Sequence, residues 1–366
     1  MFKLKALVLL LLVLVIASPT IVPTRVQAAT PLISLGSSKD LGTFLVGKDG
    51  LTLYSFTPDP IGDSVCYDKC ATAWPPLLVD SADQATAADG IPGTLSTFKR
   101  KDGTLQVAYN GIALYYWFKD AKAGDATGHR VSRVWWVVPP ATAYGQRVPK
   151  LGNVLVGEKG MTLYIYTKDT QGTKDAAATS NCYDQCATNW PPLIVKSADA
   201  IVPGVNLLGQ WGTTKRKDDS LQVTYNGWPL YYFAKDKAIG DATGENVGKV
   251  WFTIVPETVG TVTNKDLGDI LVTADGMTLY TYAKDTKGVS NCTADCAKNW
   301  PPYTVMADDR LNASGASKDK LGTITRDDKS IQVTYDGMPL YLFAKDKAPG
   351  DTTGQNVGNA WLVVKP

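Results

Sequence analysis

The chain has 366 residues, with 37 Lys and Arg against 35 Asp and Glu and a single histidine. So even a balance of charge gives no reason to expect a nucleic-acid partner, and one histidine starves most metal sites of imidazole. It also excludes c-type haem attachment, which needs Cys-x-x-Cys-His.

The chain opens on basic Met1-Phe2-Lys3-Leu4-Lys5, continues through an apolar run at 6–17, and reaches a small-residue exit at Val26-Gln27-Ala28. This pattern predicts a secretory signal peptide over 1–28, and about 12 apolar residues fall short of the roughly 20 that span a bilayer. Without Lys3, Lys5 and Arg25 the balance is 34 basic against 35 acidic side chains. The remainder is longer than one core usually serves and divides into three domains at 29–140, 141–257 and 258–366.

Each domain begins with a predicted strand pair, Thr43 to Gly50 and Leu51 to Phe56 in the first, with period-two alternation around Asp-Gly. A cysteine segment follows, Cys66-Tyr-Asp-Lys-Cys70, and it predicts a short helix that Trp74-Pro75-Pro76 ends. The same segment recurs from Cys182 to Pro192 and from Cys292 to Pro302. Next comes a three-strand meander, 97–100, 105–109 and 114–118, whose last turn is Asn110-Gly111, repeated as Asn226-Gly227 and Asp336-Gly337. Such pairs favour a type I′ turn because both residues tolerate positive φ. A closing strand carries Trp135-Trp136, Trp251 or Trp361.

A second repeat lies inside the first. Gly-x-x-Leu-Tyr-x-(aromatic)-x-x-Asp occurs six times: Tyr54, Phe56, Asp59; Tyr115, Trp117, Asp120; Tyr164, Tyr166, Asp169; Tyr231, Phe233, Asp236; Tyr280, Tyr282, Asp285; and Tyr341, Phe343, Asp346. The expected fold is all-β: three tandem antiparallel sandwich- or barrel-like domains, each an internal duplication with one short helix. Six half-repeats also allow a six-bladed propeller-like assembly. Three separate domains are preferred because only the first half of each carries the cysteines and Trp-Pro-Pro.

These motifs resemble the bacterial secreted repeat of unknown function, found in exported proteins and lipoproteins. Its marks are Tyr-x-(Phe/Trp/Tyr)-x-x-Asp, Cys-x-x-x-Cys-Ala-x-x-Trp-Pro-Pro, and Gln-Val-x-Tyr-x-Gly-x-Pro-Leu-Tyr, here 182–192 and 222–231 with equivalents in the other units. The resemblance implies a bacterial envelope or extracellular location and supplies no reaction. Two departures stand out: Ala113 replaces the proline of Pro229 and Pro339, and the cysteine that carries lipid in lipoprotein members is absent.

The cysteines Cys66, Cys70, Cys182, Cys186, Cys292 and Cys296 account for all six in the chain. Pairs four residues apart on one helical turn lie about 6 Å apart, within disulfide reach, and three local pairs in an exported protein point to three disulfides. Redox exchange or Cu(I) or Zn binding through thiolates is the rival use. Asp120 and Asp125, Asp236 and Asp241, and Asp346 and Asp351 sit in Asp-Gly-Thr loops that resemble Ca²⁺ loops, although a Lys between the carboxylates favours self-satisfied turns. Trp74, Trp190 and Trp300 with the paired tyrosines read as core, and otherwise as a glycan-stacking platform. His129, in Gly128-His where other units have Gly244-Glu and Gly354-Gln, reads as a solvated loop residue. Arg100, Arg216 and Arg326, each followed two residues later by an Asp, read as local ion pairs.

No nucleophile elbow, zinc-protease helix, phosphate loop or dinucleotide fingerprint occurs. The expected function is a non-catalytic, secreted or envelope-associated binding or scaffolding protein without a cofactor, its cell-surface or extracellular partner unknown. The alternatives are an envelope redox or metal-handling protein and a glycan-binding protein.

Overall fold

The computed structural model describes residues 30–366, and the signal peptide expected at 1–28 lies outside them. Unit 1 runs through β1 (Ile33–Ser38), β2 (Gly42–Gly47), β3 (Tyr54–Phe56), α1 (Lys69–Ala73), β4 (Leu78–Val79), β5 (Leu95–Lys99), β6 (Leu105–Tyr109), β7 (Ile112–Ala113) and β8 (Trp135–Val137). β6 is buried along nearly its whole length, so it takes the centre of the four-stranded sheet, with β4 and β5 on either side and β7 folded back on it. Asn110 at φ 49° and Gly111 at φ 80° make the expected I′ turn between β6 and β7. α1 stops at Trp74 because Pro75 and Pro76 have no amide hydrogen to continue it.

Three departures from the expected elements have local causes. β2 pairs along its length with β1, Ile33 opposite Gly47, a strand not anticipated from the sequence. Its expected partner, 51–56, keeps contact through Leu53 N–H to the Leu45 carbonyl at 2.9 Å. The stretch 114–118 is not a regular strand, because Tyr115 spends both backbone groups on Tyr54, at 2.8 and 3.0 Å, before the chain turns away. β3 instead pairs with β8, Tyr54 opposite Val137, which joins the two ends of the unit.

Unit 2 repeats this order as β9 (Tyr144–Val148), β10 (Gly152–Val156), β11 (Tyr164–Tyr166), α2 (Gln185–Asn189), β12 (Ile194–Val195), β13 (Trp211–Lys215), β14 (Leu221–Tyr225), β15 (Trp228–Pro229) and β16 (Trp251–Thr253). Unit 3 follows suit, with α3 at Ala294–Asn299 and its closing strand at Trp361–Val363. The fold is mostly β, in repeated units of small antiparallel sheets arranged like propeller blades. The six half-repeats do not form one blade each, since strands of the two halves of a unit cross-pair through Tyr54 and Tyr115, Tyr164 and Tyr231, and Tyr280 and Tyr341.

Residues Pro31–Pro366 form one compact unit. The joints expected near 140 and 257 are packed chain. Tyr144, buried beyond the first joint, donates its hydroxyl to the Pro139 carbonyl at 2.6 Å, and Val138, Ala141, Val148 and Val156 belong to the same apolar cluster as Leu53 and Val107. At the second joint buried Glu257 accepts from Tyr225 and Asn226. Ion pairs tie unit 3 to its neighbours: Arg130 and Arg133 to Asp275, Arg147 to Asp308 and Asp309, and Arg310 to Glu245.

Candidate functional site: crossed Tyr–Asp pairs beneath a four-ring stack

The six motif copies meet in pairs. Tyr54 donates to Asp120 Oδ2 and Tyr115 to Asp59 Oδ2, both at 2.5 Å, so the tyrosine of each half reaches the aspartate of the other. Unit 2 has Tyr164 to Asp236 at 2.7 Å and Tyr231 to Asp169 at 2.6 Å. In unit 3 the pairs are Tyr280 to Asp346 at 2.7 Å and Tyr341 to Asp285 at 2.6 Å. Period two places the tyrosine and the aromatic two residues on along one face, and the backbone bridge between the two tyrosines sets the halves antiparallel.

All six aspartates are buried, and each carboxylate is filled by the chain. Asp59 Oδ1 accepts the Val65 N–H at 2.7 Å, and Asp120 Oδ1 accepts the amide and hydroxyl of Thr127 at 3.0 and 2.6 Å. Burial pushes the Asp59 carboxyl up to about 7 against the pull of those donors and of Arg100. Asp169 and Asp285 are raised for the same reason, and burial also raises the phenol of Tyr115.

Above each pair four rings lie in one stack. In unit 1 the order is Phe56, Trp135, Trp74, Trp117, with centroids 4.2, 3.9 and 4.0 Å apart. Unit 2 stacks Tyr166, Trp251, Trp190 and Phe233 at 4.3, 3.8 and 4.1 Å. Unit 3 stacks Tyr282, Trp361, Trp300 and Phe343 at 4.3, 3.8 and 4.2 Å. Trp74, Trp190 and Trp300 are about 5% exposed or less, so they offer no platform to a glycan and the alternative reading loses these carriers. Gly128 roofs the stack: a Cβ there would sit 2.8 Å from the Trp74 ring and 2.9 Å from Tyr54.

The cysteine pairs are disulfides, Cys66–Cys70, Cys182–Cys186 and Cys292–Cys296, with Cα atoms 5.2–5.3 Å apart. Beside each lies an arginine that the sequence reading underestimated. Arg100 does reach Asp102, at 3.4 Å, but its guanidinium is buried, donating to the Cys66 carbonyl at 2.7 Å, to Ser64 Oγ at 3.1 Å and to Gln106. Arg216 holds the Cys182 carbonyl at 2.8 Å and Arg326 the Cys292 carbonyl at 2.7 Å. The signal was present in the invariant spacing of Arg to Gln106, Gln222 and Gln332 six residues on, and in Ser64, Ser180 and Ser290 two residues before the first cysteine.

The loops considered for Ca²⁺ close on themselves. Asp125 Oδ2 accepts the amides of Ala121 and Lys122 at 3.0 and 3.1 Å; Asp241 and Asp351 do the same for their own loops at 2.7–2.8 Å. These amides hold the Asp241 and Asp351 carboxyls below the usual range. Asp120, Asp236 and Asp346 turn inward to the tyrosines instead, so the two carboxylates of a loop face different donors. His129 is not a solvated loop residue: it is half-buried against Trp136 and its Nδ1 accepts the Val137 amide at 3.4 Å, where Glu245 serves Thr253 and Gln355 serves Val363. Burial brings its imidazole down to about 4. Three different residue types share one acceptor task, which their dissimilar chemistry concealed.

The family model for a secreted repeat of unknown function matches six segments, 37–78, 96–139, 147–194, 212–254, 261–304 and 322–365. Each segment carries one motif copy and most of the chain is covered. Neither the curated proteins nor the solved structures contain a match.

Proposed function

Because the chain belongs to the family of secreted repeats of unknown function, we propose that it works outside the cytoplasm as a non-catalytic binding or scaffolding module built from three repeat units, 29–140, 141–257 and 258–366. One observation carries this reading. The leading tyrosine and the aspartate of every motif copy, and the buried arginines, are spent on one another, on Ser and Gln side chains repeated in each unit, or on the backbone, so the motif builds a frame and recognition falls to the residues that differ between units. Three frames on one chain multiply weak contacts to an extended partner. No helix among the described residues is long and apolar enough to cross a membrane, and the secreted description of the family is consistent with an extracellular or envelope location.

The test is saturable retention of the purified chain on isolated bacterial envelopes. Retention that survives full alkylation conditions and chelator supports a binding module. Loss of retention with uptake of alkylating reagent, or metal copurifying with the cysteines, would favour the redox or metal reading instead.

A further inference from the structure

The three units serve as internal controls for one another, and their differences converge on one place. Asp169 lies twelve residues from Asn181, whereas Asp59 to Val65 and Asp285 to Asn291 each span six. Unit 2 therefore carries six extra residues, 173–178. It also has Trp211 and Trp228 where unit 1 has Leu95 and Ile112 and unit 3 has Leu321 and Met338. Trp211, Tyr225 and Trp228 are direct cross-strand partners on β13, β14 and β15, a row with Tyr225 buried between two half-buried tryptophans, where the other units place a tyrosine between aliphatic residues.

The residues just before the extra segment sit beside that row, through a contact that units 1 and 3 share as Gly62 N–H to Gly111 and Gly288 N–H to Gly337. Gly172 N–H donates to the Gly227 carbonyl at 2.9 Å and Gln171 Nε2 to the Asn226 carbonyl at 2.8 Å. A Cβ on Gly227 would lie 2.1 Å from the Gly172 carbonyl oxygen, so the approach requires glycine. Extra segment, both tryptophans and the facing edge of unit 3 line a single open cleft of about 850 Å³. Its polar lining is amide and hydroxyl, including Gln210, Asn226, Asn312 and Ser314, and its charged lining is Lys174, Lys318 and Arg310, the last paired with Glu245 outside the lining. Lys174 and Lys318 are exposed, and the Trp211 indole N–H has no acceptor among the described residues.

We propose that this cleft binds an acidic oligosaccharide. The outer two tryptophans of the row stand roughly 10 Å apart, two strand spacings, and present half-buried rings to the apolar faces of pyranose units. Amide and hydroxyl groups suit the sugar hydroxyls, and the unopposed lysines suit carboxylate or other anionic substituents. The inference rests on the reading of the protein as an exported binding module and assigns the ligand class of one unit.

The experiment is affinity electrophoresis of the intact chain in native gels containing polygalacturonate, hyaluronan, neutral dextran or poly-glutamate. Retardation by an acidic polysaccharide above that by dextran or poly-glutamate is expected, weakening with salt. The double variant Trp211→Leu/Trp228→Met installs the unit 3 counterparts, Leu321 and Met338, and should weaken binding at least tenfold. Lys174→Ala/Lys318→Ala changes only exposed side chains and should weaken it by a similar factor with an unchanged melting temperature. Equal retardation of wild type and both variants, no retardation by either acidic polysaccharide, or equal binding of dextran or poly-glutamate overturns the proposal. Envelope retention that persists alongside such a result leaves the binding-module reading intact, whereas loss of both overturns both.

Discussion

Replacing Asp59 by Asn asks whether burial of the crossed pairs has the energetic sign that the geometry implies. The carboxyl sits at about 7 in the folded chain, against an ordinary value of 3.8. Below 3.8 both states hold the proton; between 3.8 and about 7 only the folded state does, so its contribution to stability is lost as pH rises through that window and the loss is complete above it. A difference of about 3 pH units corresponds to about 4 kcal/mol. An asparagine does not ionise: its oxygen still accepts Val65 N–H, and Tyr115 turns its hydroxyl to Ser64 Oγ, already 2.7 Å away. The variant should therefore gain on the wild type by about 4 kcal/mol between pH 4 and pH 8. His129, at about 4, has the opposite slope, losing stability as pH falls below its ordinary value of 6.5, but it is common to both proteins and cancels in the comparison.

Thermal melts across that pH range give the answer and also size the cooperative unit. If 30–366 melts as one body, about 4 kcal/mol displaces the midpoint by about 6 °C; if a unit of about 110 residues melts alone, by about 17 °C. A variant that loses the same stability at pH 4 and pH 8 would refute the reasoning, because Asp59 would then be an ionised, well-compensated carboxylate throughout.

Arg216→Lys should lower stability by about 3 kcal/mol in urea titrations, since an ammonium cannot serve the Cys182 carbonyl, Ser180 and Gln222 together. Gly244→Ala brings a Cβ to 2.8 Å from Trp190 and Tyr164, and should cost about 2 kcal/mol with a change in near-UV circular dichroism. Removing one disulfide as Cys182→Ala/Cys186→Ala should cost only about 2 kcal/mol, because the closed loop is short; a loss of the whole transition would assign the bond a larger role.

Local signals in the sequence were the most legible. Asn-Gly and Asp-Gly turns, the cysteine helix with its proline stop, and the duplicated Tyr-x-aromatic-x-x-Asp element depend on neighbours a few residues away. The β1–β2 hairpin was missed because Ile33 to Ser38 is rich in Ser and Gly and shows only weak alternation. The partners of the motif were hidden by distance: Tyr54 and Asp120 are 66 residues apart, and nothing in either half states that its complement is the other. Arg100 does pair with Asp102, two residues on, but its hold on Cys66 was hidden because that residue is 34 positions away. Trp135 was placed on a closing strand, but its equivalence to Trp74 appears only when the two rings stand face to face. The compactness of 31–366 was likewise invisible, because the stretches around Pro139-Pro140 and Pro256-Glu257 have the composition of linkers while Val138, Ala141, Tyr144 and Glu257 within them are buried.

The crossing of the Tyr–Asp pairs sets a counting rule. A half-repeat holds one hydroxyl and one carboxylate whose complements lie in another half, so it behaves as one subunit of a symmetric dimer that covalent linkage has made permanent. An even number of halves closes completely. An odd number leaves one buried donor and one buried acceptor unanswered.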